Sequence, residues 1–430
     1  MDADRGKQDP ADRWEFLRSS LWAFGGNAVG RGAVLLTIAV AIGELAPEEF
    51  GRYVAAQAAA LFAALAWDAG SSPLLTREIA AGARDRASAL RRIVGWRLRT
   101  LPVPAIALLI GVLIVYQGES PRLGIWLALA SYMAAQNAQQ VLLAALTGEL
   151  DFRAASLASG WGRIAALLFS IGAVTLVAGG SIEALVWALA GGEAVSAILA
   201  ARLLKTRHPQ GSVNGGSSMR FRAGLPFALS GIMVVAYNRL DVIVVAAVAS
   251  SGVVGTYAPA SRLQDALYIA PFAISTVLFP LLARMGTDQG NRRKLVRTFW
   301  RGTAASVAVS VAAALAAFLL LGPIIRNLAP EYVDSIEPCR IIVWSLPVVA
   351  LNACFVSLLN AAGRADLVPY GVAAALVSSI GLNLILVPVA EADGAAVAAC
   401  LRDIPAALVL ITAAIRSGAL RRDEQVRPSL

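Results

Sequence analysis

Arginine and aspartate recur inside long apolar stretches of this chain, and these are the residues placed to do chemistry. Arg31, Arg163, Arg239, Arg262, Arg340 and Arg402 lie there, with Asp68, Asp241 and Asp265. An ionisable side chain at membrane depth costs about 2.5–3.5 kcal/mol on insertion scales, so such groups face a cavity or a partner. Guanidinium grips phosphate through two parallel hydrogen bonds. Several arginines with few carboxylates make a cationic chamber, which favours an anionic or pyrophosphate-bearing ligand over a cationic one. Arg31, Arg262 and Arg239 are the candidate ligands of that anion.

Each charge carries a plainer alternative. Arg31 stands twelve residues into its apolar stretch, about 18 Å deep at 1.5 Å per residue, with nothing acidic within a turn. Asp68 lies in the polar patch Trp67–Ser72, and pairing with Arg31 on a neighbouring helix is the alternative to a cavity role. Arg239 and Asp241, two apart, point to different faces of one helix. Arg262 and Asp265, three apart, can face and neutralise each other. Arg163, Arg340 and Arg402 can snorkel or pair locally. Asn137, Gln139 and Gln140 add polar groups to the fourth apolar stretch.

Other chemistries lack their motifs. There is no Gly-rich phosphate loop, no Ser-His-Asp set and no HExxH. Cys339, Cys354 and Cys400 are scattered among apolar neighbours, and His208 stands alone in a Gly/Ser-rich loop. The expectation is a chain with no metal, no cofactor and no enzymatic activity. Without a P-loop, any uphill work draws on an ion, the membrane potential or a partner.

The elements that position these charges are membrane helices. Hydrophobic residues make up 58% of the 430 and charged residues 15%, against roughly 25% charged in soluble domains. A spanning helix needs about 20 mostly apolar residues. The pattern predicts an all-α polytopic membrane protein with twelve spans: 19–44, 52–76, 98–117, 122–146, 154–178, 183–203, 224–248, 254–283, 302–322, 338–361, 368–388 and 393–415. The third and eighth are the least regular, carrying Pro102 with Pro104 and Pro259 with Pro271. Of 37 basic residues, 28 fall in segments on one side of these spans and only Arg122 and Arg326 in loops on the other. The positive-inside rule then places both termini in the cytoplasm. It also accounts for the net charge of +9 without nucleic acid.

The chain repeats itself. Gly51-Arg52-Tyr53 is followed 22 residues after its glycine by Pro73-Leu74-Leu75-Thr76-Arg77, and Gly255-Thr256-Tyr257 is followed after 25 by Pro280-Leu281-Leu282-Ala283-Arg284. The motifs frame the second and eighth spans, so the period is six helices and the halves have the same orientation. That predicts two six-helix lobes related as parallel repeats, 1–203 and 223–430, joined by a cytoplasmic linker at 204–222.

These residues also carry a resemblance. Pro226, Asn238-Arg239-Leu240-Asp241, the run Val254 to Leu263, and Phe279-Pro280-Leu281-Leu282 resemble the central signature of bacterial polysaccharide flippases. These are the O-antigen and exopolysaccharide transporters of the multidrug/oligosaccharidyl-lipid/polysaccharide (MOP) superfamily. Leu45 to Tyr53, Ala329-Pro330-Glu331-Tyr332, Asn360 to Arg364 and Asn383 to Gly394 are similar to the same family. The resemblance implies export of an undecaprenyl-pyrophosphate-linked oligosaccharide across a bacterial inner membrane by alternating access. Arg31 and Arg262 would hold the pyrophosphate, as similarly placed arginines do in related lipid II flippases. It implies proton or sodium coupling too, with Asp68, Asp241 and Asp265 as coupling candidates and Asn137 as a cavity group. A polymerase, ligase or export complex of the same pathway is the implied partner. The rival readings are an ion-coupled multidrug exporter of the same superfamily, which should favour acidic cavity residues, and a membrane enzyme of polysaccharide assembly, which usually needs a larger outer loop than 323–337.

Overall fold

A computed structural model of the chain describes residues 30, 32–80, 86–116, 121–176, 181–207, 225–268, 271, 274–275, 278–279, 281–282, 285 and 292–419. Arg31, His208, Pro280, Arg284, most of the expected linker and both chain ends lie outside the described residues, as does the side chain of Asn238. Among the described residues there is no strand.

Among the described residues, fifteen α-helices have defined bounds. They are α1 (Gly32–Glu44), α2 (Pro47–Asp68), α3 (Ser71–Ala80), α4 (Arg86–Arg99), α5 (Pro102–Val115), α6 (Leu123–Gly148), α7 (Phe152–Leu176) and α8 (Ile182–Arg207). After them come α9 (Leu225–Val248), α10 (Ser251–Leu267), α11 (Arg292–Leu328), α12 (Ile336–Ile342), α13 (Leu346–Ala361), α14 (Val368–Leu401) and α15 (Asp403–Arg416). Helix lies on every one of the twelve expected spans. Five helical stretches are long and apolar enough to cross a membrane unaided, and up to seven if each bent pair is one span. Helix α6 falls outside that set despite its 26 residues. Gln136, Asn137, Gln139 and Gln140 lower its hydropathy.

The breaks have local causes. Helices α2 and α3 meet at 49°, where Ala69 and Gly70 take left-handed φ of 40° and 75°. Helices α4 and α5 meet at 53°, where Pro102, which has no N–H to continue the hydrogen-bond ladder of the old helix, opens the new one. In α14, Ala390 and Glu391 leave helical geometry just after Pro388. A Cβ on Gly394 would fall 2.2 Å from the carbonyl oxygen of Leu386, whereas eight residues of straight helix would separate them by about 12 Å. The chain therefore turns back there, and α14 serves as the eleventh expected span plus the start of the twelfth.

The described chain divides into two compact units, one of residues 1–45 and 59–232, the other of 46–58 and 233–430. In the first, α6, α7 and α8 pack together, with α3 against α6. Its core joins Leu74 and Leu75 to Ile93, Leu146 and Ala158. In the second, α11 packs on α13 and α14 on α15. Its core joins Leu278 and Leu282 to Phe299, Phe355 and Leu358. The Pro-Leu-Leu motif of each half thus delivers leucine to the core of its own unit. Outward faces stay apolar, as with Val103, Ile106 and Ile110 on α5 or Leu315 and Leu319 on α11, which suits helices solvated by lipid.

The Gly-x-Tyr motifs meet inside the second unit, which is why the first turns of α2 belong to it. A Cβ on Gly51 would lie 2.4 Å from the Gly255 nitrogen, and one on Gly255 would lie 2.0 Å from the Pro47 carbonyl oxygen. Backbone meets backbone, so neither neighbour can yield. Tyr53 and Tyr257 flank this crossing and are both buried. We expect Gly255→Val to destabilise the protein by about 1–3 kcal/mol or more, seen as a lowered unfolding midpoint in detergent. An unchanged midpoint would contradict the crossing.

Candidate functional site

Three buried polar clusters stand out, one in the first unit and two in the second. The first is built on the α2–α3 bend. Asp68 ends α2 and accepts from the backbone N–H groups of Gly70 at 3.1 Å and Ser72 at 3.2 Å, and from the Ser72 hydroxyl at 2.5 Å. Its ion-pair partner is Arg97 of α4. That guanidinium also donates to Ser71 Oγ at 2.7 Å and, from α6, to the Asn137 side-chain oxygen at 2.6 Å and carbonyl oxygen at 3.0 Å. Asn137 Nδ2 in turn reaches the Ala64 carbonyl at 3.3 Å. Both oxygens of Asp68 are engaged, so this cluster is equipped to pin a bend. Arg31, the partner considered from the sequence, lies outside the described residues, and among these Asp68 pairs with Arg97. Sequence reading had counted Arg97 with the basic segment 77–99, because bent α4–α5 looks like a loop followed by one span.

The second cluster joins α9, α10 and the first turns of α2. Arg239 Nη1 lies 2.5 Å from Asp265 Oδ2, and Arg262 Nη1 lies 3.5 Å from the same oxygen. Arg262 Nη2 also donates to Gln57 Oε1 at 2.7 Å. The Arg262 side chain is 7% exposed, but those of Arg239 and Asp265 are 21% and 29% exposed. Two guanidinium groups therefore draw on one carboxylate, and the pairing expected between Arg262 and Asp265 is present, shared with Arg239.

The third cluster lies on the opposite face of α9, as the two-residue spacing from Arg239 requires. Asp241 accepts from the Tyr257 hydroxyl at 2.6 Å, and Arg402 Nη1 lies 3.5 Å from the same oxygen. Arg402 Nε lies 3.9 Å from Asp403 Oδ2, and Asp403 Oδ1 accepts from the Tyr237 hydroxyl at 2.6 Å. Gln264 accepts from Arg402 at 3.3 Å and donates to Ser345 at 2.8 Å, while Asn352 donates to the Asp403 carbonyl at 3.1 Å. The guanidinium lies 4.9 Å from the centre of the Tyr237 ring. Asp403 was missed in the sequence because it neighbours Arg402, and adjacent residues on a helix do not face each other. Among the other arginines, Arg163 acts on buried Glu193 across α7 and α8. Arg340 lies 5.1 Å from the centre of the Phe318 ring. No group of three or more metal-ligating side chains occurs among the described residues.

Helices of this kind, with charges buried within two compact units, are those of a polytopic membrane protein. Comparison supplies the family. The profile described as "Polysaccharide biosynthesis protein" matches residues 16–286, and the MatE profile matches 226–389. The chain belongs to the polysaccharide biosynthesis protein family. No curated protein matches. Among solved structures it is similar to an inward-facing multidrug resistance MATE transporter, at 16% identity and TM-score 0.69 over 94% of this chain and 100% of that one. It is equally similar to the lipid II flippase MurJ in an inward closed conformation, at 14% identity and TM-score 0.69 over 93% and 89%. A MOP transporter from Pyrococcus furiosus, titled for the reverse polarity of its binding pocket, follows at 18% identity and TM-score 0.62 over 95% and 96%. These likenesses show the two-lobed helical fold.

Proposed function

We propose that the chain is a flippase moving an undecaprenyl-pyrophosphate-linked oligosaccharide from the cytoplasmic to the outer leaflet of a bacterial inner membrane. The observation that carries this reading is the shared carboxylate: Asp265 answers both Arg239 and Arg262. The pyrophosphate is the costly part of the lipid to move through hydrocarbon. The guanidinium groups of Arg239 and Arg262 would replace its water, with Arg31 kept as a further candidate ligand on its sequence position alone. Asp265 stands in for the phosphate when no cargo is bound. The prenyl tail stays in lipid, and an inside-negative potential favours outward movement of the anion by about 2.3 kcal/mol per charge per 100 mV.

Orientation with both termini in the cytoplasm, lobes at 1–203 and 223–430 joined by a linker at 204–222, and hand-over to a polymerase, ligase or export complex for O-antigen or exopolysaccharide complete the proposal. Asp241 is retained as an ion-coupling group. Asp68 and Asn137, whose polar atoms are engaged around Arg97, enter as the pin of the α2–α3 bend. The MatE match favours a second reading, an ion-coupled multidrug exporter. Two guanidinium groups at this cluster suit an anion better than the cationic drugs such a protein would carry.

Asp265→Asn separates these readings. It frees both arginines, so binding of an undecaprenyl pyrophosphate to the purified protein should tighten by about tenfold, on the scale of one lost competing charge pair. Weaker binding of the lipid, with stronger binding of a cationic dye, would overturn the proposal.

A further inference from the structure

A groove of about 660 Å³ opens in the second unit where α14 begins and α15 ends. Arg364 enters it from the turn after α13, Tyr370 from the first turn of α14, and Leu408 and Arg416 from α15. Local backbone sets these walls. Gly363 takes a φ of 72°, and the Arg364 N–H reaches back to the Leu359 carbonyl at 2.8 Å, as in a helix closed by a left-handed glycine. A Cβ on Gly371 would fall 2.8 Å from the Leu410 side chain, so α14 and α15 approach closely beneath the groove.

The chemistry is graded along its length. Two guanidinium groups stand at the rim. Arg416 has no ion-pair partner among the described residues. Arg364 lies 3.3 Å from Asp366, but these side chains are 43% and 63% exposed, and a surface pair of that kind holds weakly. The Thr412 and Ser417 hydroxyls already donate to carbonyls of their own helix, at 2.7 Å and 3.2 Å. Helix α14 starts without a side-chain cap, which leaves its positive end to an anion. Below the rim the walls turn apolar. Leu408 comes eight residues before Arg416, about 12 Å along the helix. It is 62% exposed and Tyr370 is 65% exposed, so this wall faces lipid. A basic rim, an aromatic ring and an apolar wall match a phospholipid from headgroup to acyl chain. A groove of similar size, about 720 Å³, lies between α7 and α8, but Glu183 is its charged group, and a carboxylate repels an anionic headgroup.

We propose that the groove between α14 and α15 binds an anionic glycerophospholipid, with its phosphate on Arg364 and Arg416 and one acyl chain along Leu408. In the orientation proposed above, this lipid belongs to the cytoplasmic leaflet. The site uses neither Arg239 nor Arg262 and does not depend on which cargo crosses the membrane.

The test is photolabelling of the full-length protein in phosphatidylcholine vesicles that carry a trace of photoactivatable phosphatidylglycerol, with the labelled peptides mapped. Label is expected on the start of α14 and the end of α15, and unlabelled phosphatidylglycerol should displace it. Extra phosphatidylcholine or soluble glycerol phosphate should not. Arg364→Gln combined with Arg416→Gln should lower this labelling by about ten- to thirtyfold, the scale of two basic groups at an anionic lipid surface. Undiminished labelling of the double variant overturns the proposal, as does labelling elsewhere only. Equal displacement by phosphatidylcholine would show an unselective lipid contact, and displacement by glycerol phosphate a site for free phosphate. Stronger displacement by undecaprenyl phosphate would make the groove part of the cargo path. Each of these also overturns it. The competition arms use the unaltered protein, so they decide the matter even where the double variant inserts poorly.

Discussion

Arg97→Ala should destabilise the protein by about 3–5 kcal/mol, the usual cost of breaking a buried ion pair from one side. The Arg97 and Asp68 side chains are 4% and 9% exposed. Truncation strands the carboxylate and also strips hydrogen bonds from Ser71, Ser72 and Asn137. Because Asp68 caps the start of α3, the effect should centre on the α2–α3 bend. Arg97→Lys keeps the charge but not the fork of donors, so it should recover only part of the loss. Asp68→Asn combined with Arg97→Gln should be less harmful than the sum of the single changes, since no charge is left stranded. Unfolding midpoints in detergent would check the series. A fully additive result would mean that the pair contributes nothing as a pair.

Arg262→Ala should lower translocation of the lipid-linked oligosaccharide by about ten- to a hundredfold, corresponding to roughly 1.5–3 kcal/mol for a hydrogen bond to a charged group. The side chain is buried and reaches both Asp265 and Gln57. Its removal takes away a fork that a phosphate would fill and leaves the Arg239–Asp265 pair in place. Arg262→Lys should restore the charge but little of the rate, because an ammonium group cannot make two parallel bonds. Surface expression of each variant controls for insertion. Full activity in Arg262→Ala would remove this residue from the pyrophosphate site.

The fold was largely legible in the sequence because hydropathy reports solvation directly. Every expected span carries helix among the described residues, and the prolines that made the third span irregular mark a real bend. The two Gly-x-Tyr motifs were visible as a repeat, although their meeting at a backbone crossing was not. The cluster at Asp265 was half legible. Its i to i+3 partner Arg262 follows from helical spacing, but Arg239 arrives from another helix. Partners brought together by tertiary packing escaped altogether. Arg97 looked like loop charge, and Arg402 looked like a charge that snorkels or pairs locally. Nothing along α15 announces that Asp241 of α9 lies against it.

The central claim concerns what crosses the membrane, and reconstitution tests it most directly. Purified protein in liposomes would receive a labelled undecaprenyl-pyrophosphate oligosaccharide in one leaflet and, separately, a cationic dye. The account predicts protein-dependent appearance of the oligosaccharide in the opposite leaflet, slowed by Arg262→Ala, with no movement of the dye. Transport of the dye with no exposure of the oligosaccharide would contradict it.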